Sequence, residues 1–118
     1  MPSLAFFLLA IATLSHHSLG SALCPASCRC LWKSSKMTVE CGCAGATAIP
    51  DNMDIGTQVL NMSHNSLGSL TMDMFFKAGL MNLQKLNVGH NNISSLHSRT
   101  FSGLLNLVEV DLSQKLSL

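Results

Sequence analysis

Apolar residues recur two apart at three places in the second half of the chain: Leu60 and Met62, Leu86 and Val88, Val110 and Leu112. Side chains two apart leave a strand on the same face, so each pair predicts a short strand with one side turned inward. A helical reading of LQKLNV is weak, because β-branched residues, Asn, Gly and Ser crowd the same segments. The spacing around the pairs repeats as well. Gln58–Leu83 laid over Gln84–Leu107 sets Leu60 on Leu86, Met62 on Val88, His64 on His90, Asn65 on Asn91 and Leu67 on Ile93. Leu70 then falls on Leu96, Phe75 on Phe101 and Leu80 on Leu104. The units are 26 and 24 residues long, the two extra residues lie between Phe75 and Gly79, and a third unit opens at Val108 with VEVDLS.

Units of this length with the pattern L-x-x-L-x-L-x-x-N-x-L resemble leucine-rich repeats. The fold class implied is a leucine-rich repeat solenoid, an α/β horseshoe fragment whose short parallel strands line a concave face. Asn65 and Asn91 follow the strands where the chain turns. Their amides can satisfy backbone groups that the turn leaves unpaired inside, which predicts an asparagine ladder. Phe75 and Phe101 are expected to fill the wider convex half of each coil, each burial contributing roughly 1.5–3 kcal/mol. The outward residues form the candidate binding face: Gln58, Asn61, Ser63 and His64 from the first coil, Gln84, Lys85, Asn87 and His90 from the second, and Glu109 and Asp111 from the third. The plainer reading of the same residues is a solvated polar sheet. His64 and His90 should stack on neighbouring strands at about 5 Å. That invites a metal or pH-switch hypothesis, against which stands the absence of a third ligand.

Ahead of the repeats, Leu4–Leu14 reads LAFFLLAIATL, an apolar run followed by SHHSLGSA. Small residues at Gly20 and Ala22 suit a signal peptidase, so residues 1–22 read as a signal peptide cut after Ala22, or alternatively after Gly20. A membrane anchor needs about 18–20 apolar residues, more than this run supplies, and no second apolar span follows. A secreted product is therefore expected. The remaining residues suffice for one domain. The net charge of +1, without a block of like charge, gives no footing for nucleic acid or lipid headgroups.

The compartment bears on the five cysteines, Cys24, Cys28, Cys30, Cys41 and Cys43. In a short secreted domain they read first as a disulfide framework. Zinc is disfavoured, since structural sites show paired C-x2-C knuckles and thiolate sites belong mainly to reducing compartments. Cysteine catalysis needs a positioned base, and the segment holds no histidine. No phosphate-cradling loop, nucleophile beside a base or pair of acids in a cleft appears elsewhere, so no enzyme activity and no cofactor are expected. A solenoid's first coil lacks a predecessor and needs a cover. Residues 23–52 read as that N-terminal cysteine-rich cap, and 53–118 as two complete repeats plus the start of a third.

The spacing C-x3-C-x-C-x10-C ending near Ile49-Pro50 resembles the N-terminal cysteine-rich flank of extracellular leucine-rich repeat proteins. That resemblance implies pairing of Cys24 with Cys30 and of Cys28 with Cys41. Cys43 has no counterpart there; it is a free thiol, a rival to Cys41 for Cys28, or an intermolecular bridge. Cys30-Leu31-Trp32-Lys33, Lys36, Thr38-Val39-Glu40-Cys41, Gln58-Val59-Leu60, Ala78-Gly79-Leu80, Asn82-Leu83-Gln84-Lys85 and Asn106-Leu107-Val108-Glu109 are similar to the Kekkon family of arthropods. The resemblance implies a non-enzymatic ectodomain of a single-pass adhesion or signalling-modulator protein at the plasma membrane. It further implies an immunoglobulin domain, a transmembrane helix and, as partner, an extracellular or cell-surface protein. The sequence departs from that family after Ser113, where Gln114-Lys115-Leu116-Ser117-Leu118 replaces Asn-x-Leu. The expectations are a truncated gene product or splice form with no independent function, or a short secreted decoy. As written, the chain is expected to be marginally stable, its last leucines facing water. Two sequons, Asn61-Met62-Ser63 and Asn92-Ile93-Ser94, mark glycosylation at Asn61 on the concave sheet and at Asn92 in a turn.

Overall fold

The computed structural model describes residues 23–114; the expected signal peptide lies outside the described residues. Two strands open the fold, β1 (Arg29–Lys33) and β2 (Lys36–Glu40), paired antiparallel with Lys33 opposite Lys36. The two-residue connection Ser34-Ser35 has positive φ at both positions, 51° and 62°. A tight hairpin whose strands keep their right-handed twist requires this. Each coil then supplies a strand: β3 (Val59–Asn61), β5 (Lys85–Asn87) and β7 (Glu109–Asp111). They stack in parallel, and β2 joins them, giving a sheet of order β1-β2-β3-β5-β7. The register runs Val39, Leu60, Leu86, Val110 across the inward row. This is the solenoid expected from the repeat, with one rung more than the repeat provides. The cap covers the first coil by supplying β2 as its preceding rung.

On the far side of each coil the chain touches β structure again. β4 (Ser69–Leu70) pairs in parallel with β6 (Ser95–Leu96), a second small sheet not read from the sequence. The first coil then forms one helical turn, α1 (Met74–Lys77), where it carries its two extra residues; the second coil crosses the same space in turns alone. Gly103 in that stretch has φ 82°, and a Cβ there would lie 2.6 Å from the exposed Phe76 ring, so a side chain would strain the backbone and displace that ring. Phe75 is fully buried and lies nearly parallel to the half-buried Phe101, ring centroids 5.8 Å apart. Val39, Leu60, Met62, Leu70, Leu80, Leu83 and Val88 complete the sealed interior. Beyond β5 the seal opens: Leu96, Leu105 and Val108 are exposed, and Val110 is only half-buried.

Disulfides join Cys24 to Cys30 and Cys28 to Cys41, with Cα atoms 6.0 and 4.4 Å apart. Cys41 is buried, so the second disulfide fastens the start of the cap to the core. Cys43 carries a free, exposed thiol.

Candidate functional site

The outward rows of the sheet follow from its register. One runs Leu31, Thr38, Val59, Lys85, Glu109; beside it runs Arg29, Glu40, Asn61, Asn87, Asp111. The concave face thus begins in the cap, with residues that the repeat alignment does not reach. A trough of about 530 Å³ lies along β3, β5 and β7, floored by Val59, Asn61, Lys85, Asn87 and Asp111. A second hollow of about 270 Å³ lies toward the hairpin.

Every second-row residue on the three coils is held in one way. The side-chain oxygen of Asn61 accepts the N–H of Ser63 at 2.9 Å, Asn87 that of Gly89 at 2.9 Å, and Asp111 that of Ser113 at 2.8 Å. Asn and Asp favour this local turn because the short side chain reaches a backbone N–H two residues on. The bonds that Ser113 donates, with a smaller attraction from His90, hold the Asp111 carboxyl below the usual carboxylate value. Lys85 Nζ stands 3.9 Å from Glu109 Oε2, both exposed, an ion pair that contributes little.

The remaining sequence-selected residues divide into anchors and exposed groups. Gln58 is an anchor: its Oε1 accepts the N–H of Met37 at 3.0 Å and ties the first coil to the cap. The carbonyls of Gln58 and Gln84 each accept two N–H groups from the next coil. Asn65 and Asn91 are buried at the turns. Asn65 donates to the carbonyls of Cys41 and Met62, each at 2.9 Å, and accepts from Ala44 and Ala46. Asn91 donates to Met62, Val88 and Gly89 and accepts from Leu67. His64 and His90 are exposed and stack, ring centroids 4.4 Å apart and planes 7° from parallel. Cys43 occupies the matching position one rung earlier: its N–H donates to the carbonyl of Ser63, as His64 does to Gly89 and His90 to Ser113. All three residues have φ 56°. Among the described residues no three His, Cys, Asp or Glu side chains converge to hold a metal. Asn61 is half-buried on the concave floor and Asn92 is exposed at the turn after β5.

What the sequence reading missed was the cap's share of the face. The signal was present: Val39, Cys41 and Cys43 keep the same two-residue steps as Leu60, Met62 and His64. Cysteine stood where the repeat uses leucine or methionine, which hid the phase.

Comparison with known proteins agrees with this geometry. A leucine-rich repeat family model matches residues 55–115. Tsukushi-A of Xenopus laevis is 32% identical over 104 residues, covering 82% of this chain and 30% of that protein. Human leucine-rich repeat-containing protein 3 is 33% identical over 83 residues, covering 70% and 32%. Amphoterin-induced protein 2 of Rattus norvegicus is 34% identical over 106 residues, covering 90% and 19%. The solved structure of human 5T4 (Wnt-activated inhibitory factor 1, trophoblast glycoprotein) superposes with a TM-score of 0.67 at 27% identity, over 75% of this chain and 32% of that one. The chain therefore spans about a third or less of these proteins.

Proposed function

Because the chain belongs to the leucine-rich repeat family, we propose that it is a non-enzymatic, extracellular protein-binding module whose contact surface is the concave face of the five-stranded sheet. The observation that carries this reading is the two-row floor itself. It is polar except at Leu31 and Val59, continuous from the cap to β7, and made of side chains outside the apolar core. Short turns fix Asn61, Asn87 and Asp111 before any partner arrives, so little side-chain freedom is left to lose there on binding. The two disulfides suit an oxidising compartment.

The finer reading is that this module is the membrane-distal start of a single-pass adhesion or signalling-modulator protein of the Kekkon type. It is supported by the cap and coil motifs from Cys30 to Glu109. A short secreted form acting as a decoy would use the same face. The test is capture of extracellular domains by the full chain, comparing a substitution on the concave floor with one on the back of the coil. Loss confined to the floor substitution supports the reading, and loss confined to the back overturns it.

A further inference from the structure

At the cap end of the concave face the hairpin sets two lysines opposite each other. Lys33 and Lys36 are directly opposite each other across β1 and β2, an arrangement in which like charges destabilise a sheet. The turn that aligns them holds two serines at positive φ, where glycine or asparagine would sit with less strain. Neither lysine has a carboxylate within ion-pair distance among the described residues, where the one ion pair is Lys85 with Glu109. Both line the hollow of about 270 Å³, together with Lys85, Thr38, Val59 and Glu40. Three cations and one acid around a small hollow, in a chain of net charge +1 overall, make this the basic end of the face. Its other end carries Glu109 and Asp111.

We propose that this hollow is the charge-reading part of the binding face and takes a carboxylate side chain from an extended acidic segment of the partner protein. The inference rests on the concave-face reading above and sharpens it. A Glu or Asp carboxylate entering between Lys33 and Lys36 relieves their mutual repulsion and gains two charge-assisted hydrogen bonds. The aliphatic stem of that side chain meets Val59 on the floor. Asn61 also lines the hollow, so a glycan on Asn61 would compete with the segment.

The probe is a fluorescein-labelled nonapeptide alternating Glu with Thr, measured by fluorescence anisotropy against the full secreted chain. Its Gln counterpart and a heparin hexasaccharide are measured alongside. The Glu peptide is expected to bind, the Gln peptide to bind much more weakly, and the Lys33→Gln/Lys36→Gln double variant to lose about fivefold or more in affinity. The same double variant should melt no lower than the wild type, since it removes a repulsion; a merely structural role for the lysines would lower the melting temperature instead. Equal binding of the Gln peptide, unchanged affinity of the double variant, or binding of the hexasaccharide alone would overturn the proposal. If the hollow fails in this way while Val59→Arg still abolishes capture of extracellular domains, the concave-face reading stands without it. If Val59→Arg has no effect, the broader reading fails as well.

Discussion

The side-chain amide of Asn91 crosses a coil boundary: it donates to the carbonyl of Met62 at 2.9 Å, while its oxygen accepts the N–H of Leu67 at 3.2 Å. Asn91 is fully buried, and it bonds Val88 and Gly89 of its own turn as well. One residue thus satisfies four backbone groups that water cannot reach. Asn91→Ala should cost about 3 kcal/mol, because the buried Leu67 N–H and Val88 carbonyl lose their partner together, while the Met62 and Gly89 carbonyls keep a donor in Asn65 and in the His64 N–H. Urea titration followed by circular dichroism checks this, and a loss under about 1 kcal/mol would show the ladder to be dispensable.

The disulfide between Cys28 and Cys41 spans 13 residues and that between Cys24 and Cys30 spans 6. Loop-closure entropy sets the first near about 3 kcal/mol and the second nearer about 2. Burial of Cys41 widens the gap. Cys28→Ala/Cys41→Ala should therefore lower the melting temperature more than Cys24→Ala/Cys30→Ala, as differential scanning fluorimetry would show. Cys43→Ser should leave it within error, since that thiol is exposed and outside the core.

The glycosylation expected at the Asn61 and Asn92 sequons can be tested one site at a time by mutation. Ser63→Ala removes the first sequon, and the Asn61 oxygen bonds only the Ser63 backbone N–H, which the variant keeps. Ser94→Ala removes the second at an exposed turn; it gives up the 3.3 Å bond from the Ser94 hydroxyl to the Gly68 carbonyl and keeps the 2.7 Å bond from the Ser94 N–H to the same carbonyl. Intact mass of secreted protein should fall by one glycan for each variant. A fall of only the one oxygen lost from serine, with no glycan mass, shows that site to be empty.

Asp111 gives the third coil a specific response to acid. Its carboxyl is held below the usual value chiefly by the bonds from Ser113. A depressed carboxylate contributes stability that is complete above its unfolded value, and lost as pH falls through the folded value, so the window lies below about pH 4. Asp111→Asn should retain the turn, as Asn61 and Asn87 do in the other coils, and flatten the decline in melting temperature between pH 5 and pH 2.5. An unchanged decline would mean that Asp111 has no part in it.

Much of this fold could be read before the structure. Leu60 with Met62 and Leu86 with Val88 declared strands because a period of two has no helical equivalent. Asn65 and Asn91 declared the turns because few other side chains can serve donors and acceptors at once in a dry interior. The hairpin was harder. Val39 and Cys41 occupy the positions of Leu60 and Met62, but a half-cystine packs as an apolar residue without resembling one in a pattern search. Gln58 looked like one more surface amide, and only the approach of Met37 from the cap makes it an anchor. The small sheet of Ser69–Leu70 and Ser95–Leu96 is two residues wide on each strand, too short for alternation to show.

The concave face is tested most directly by capture of a panel of purified extracellular domains on the full secreted chain, with two single variants run in parallel. Val59→Arg places a long charged side chain at the centre of the floor, and Met72→Arg places one at an exposed site far from it. Capture of at least one domain that weakens about tenfold or more with Val59→Arg and is unchanged with Met72→Arg, both variants melting as the wild type does, is the predicted result. Capture that survives Val59→Arg, or that Met72→Arg abolishes, or capture of no domain at all, would contradict it.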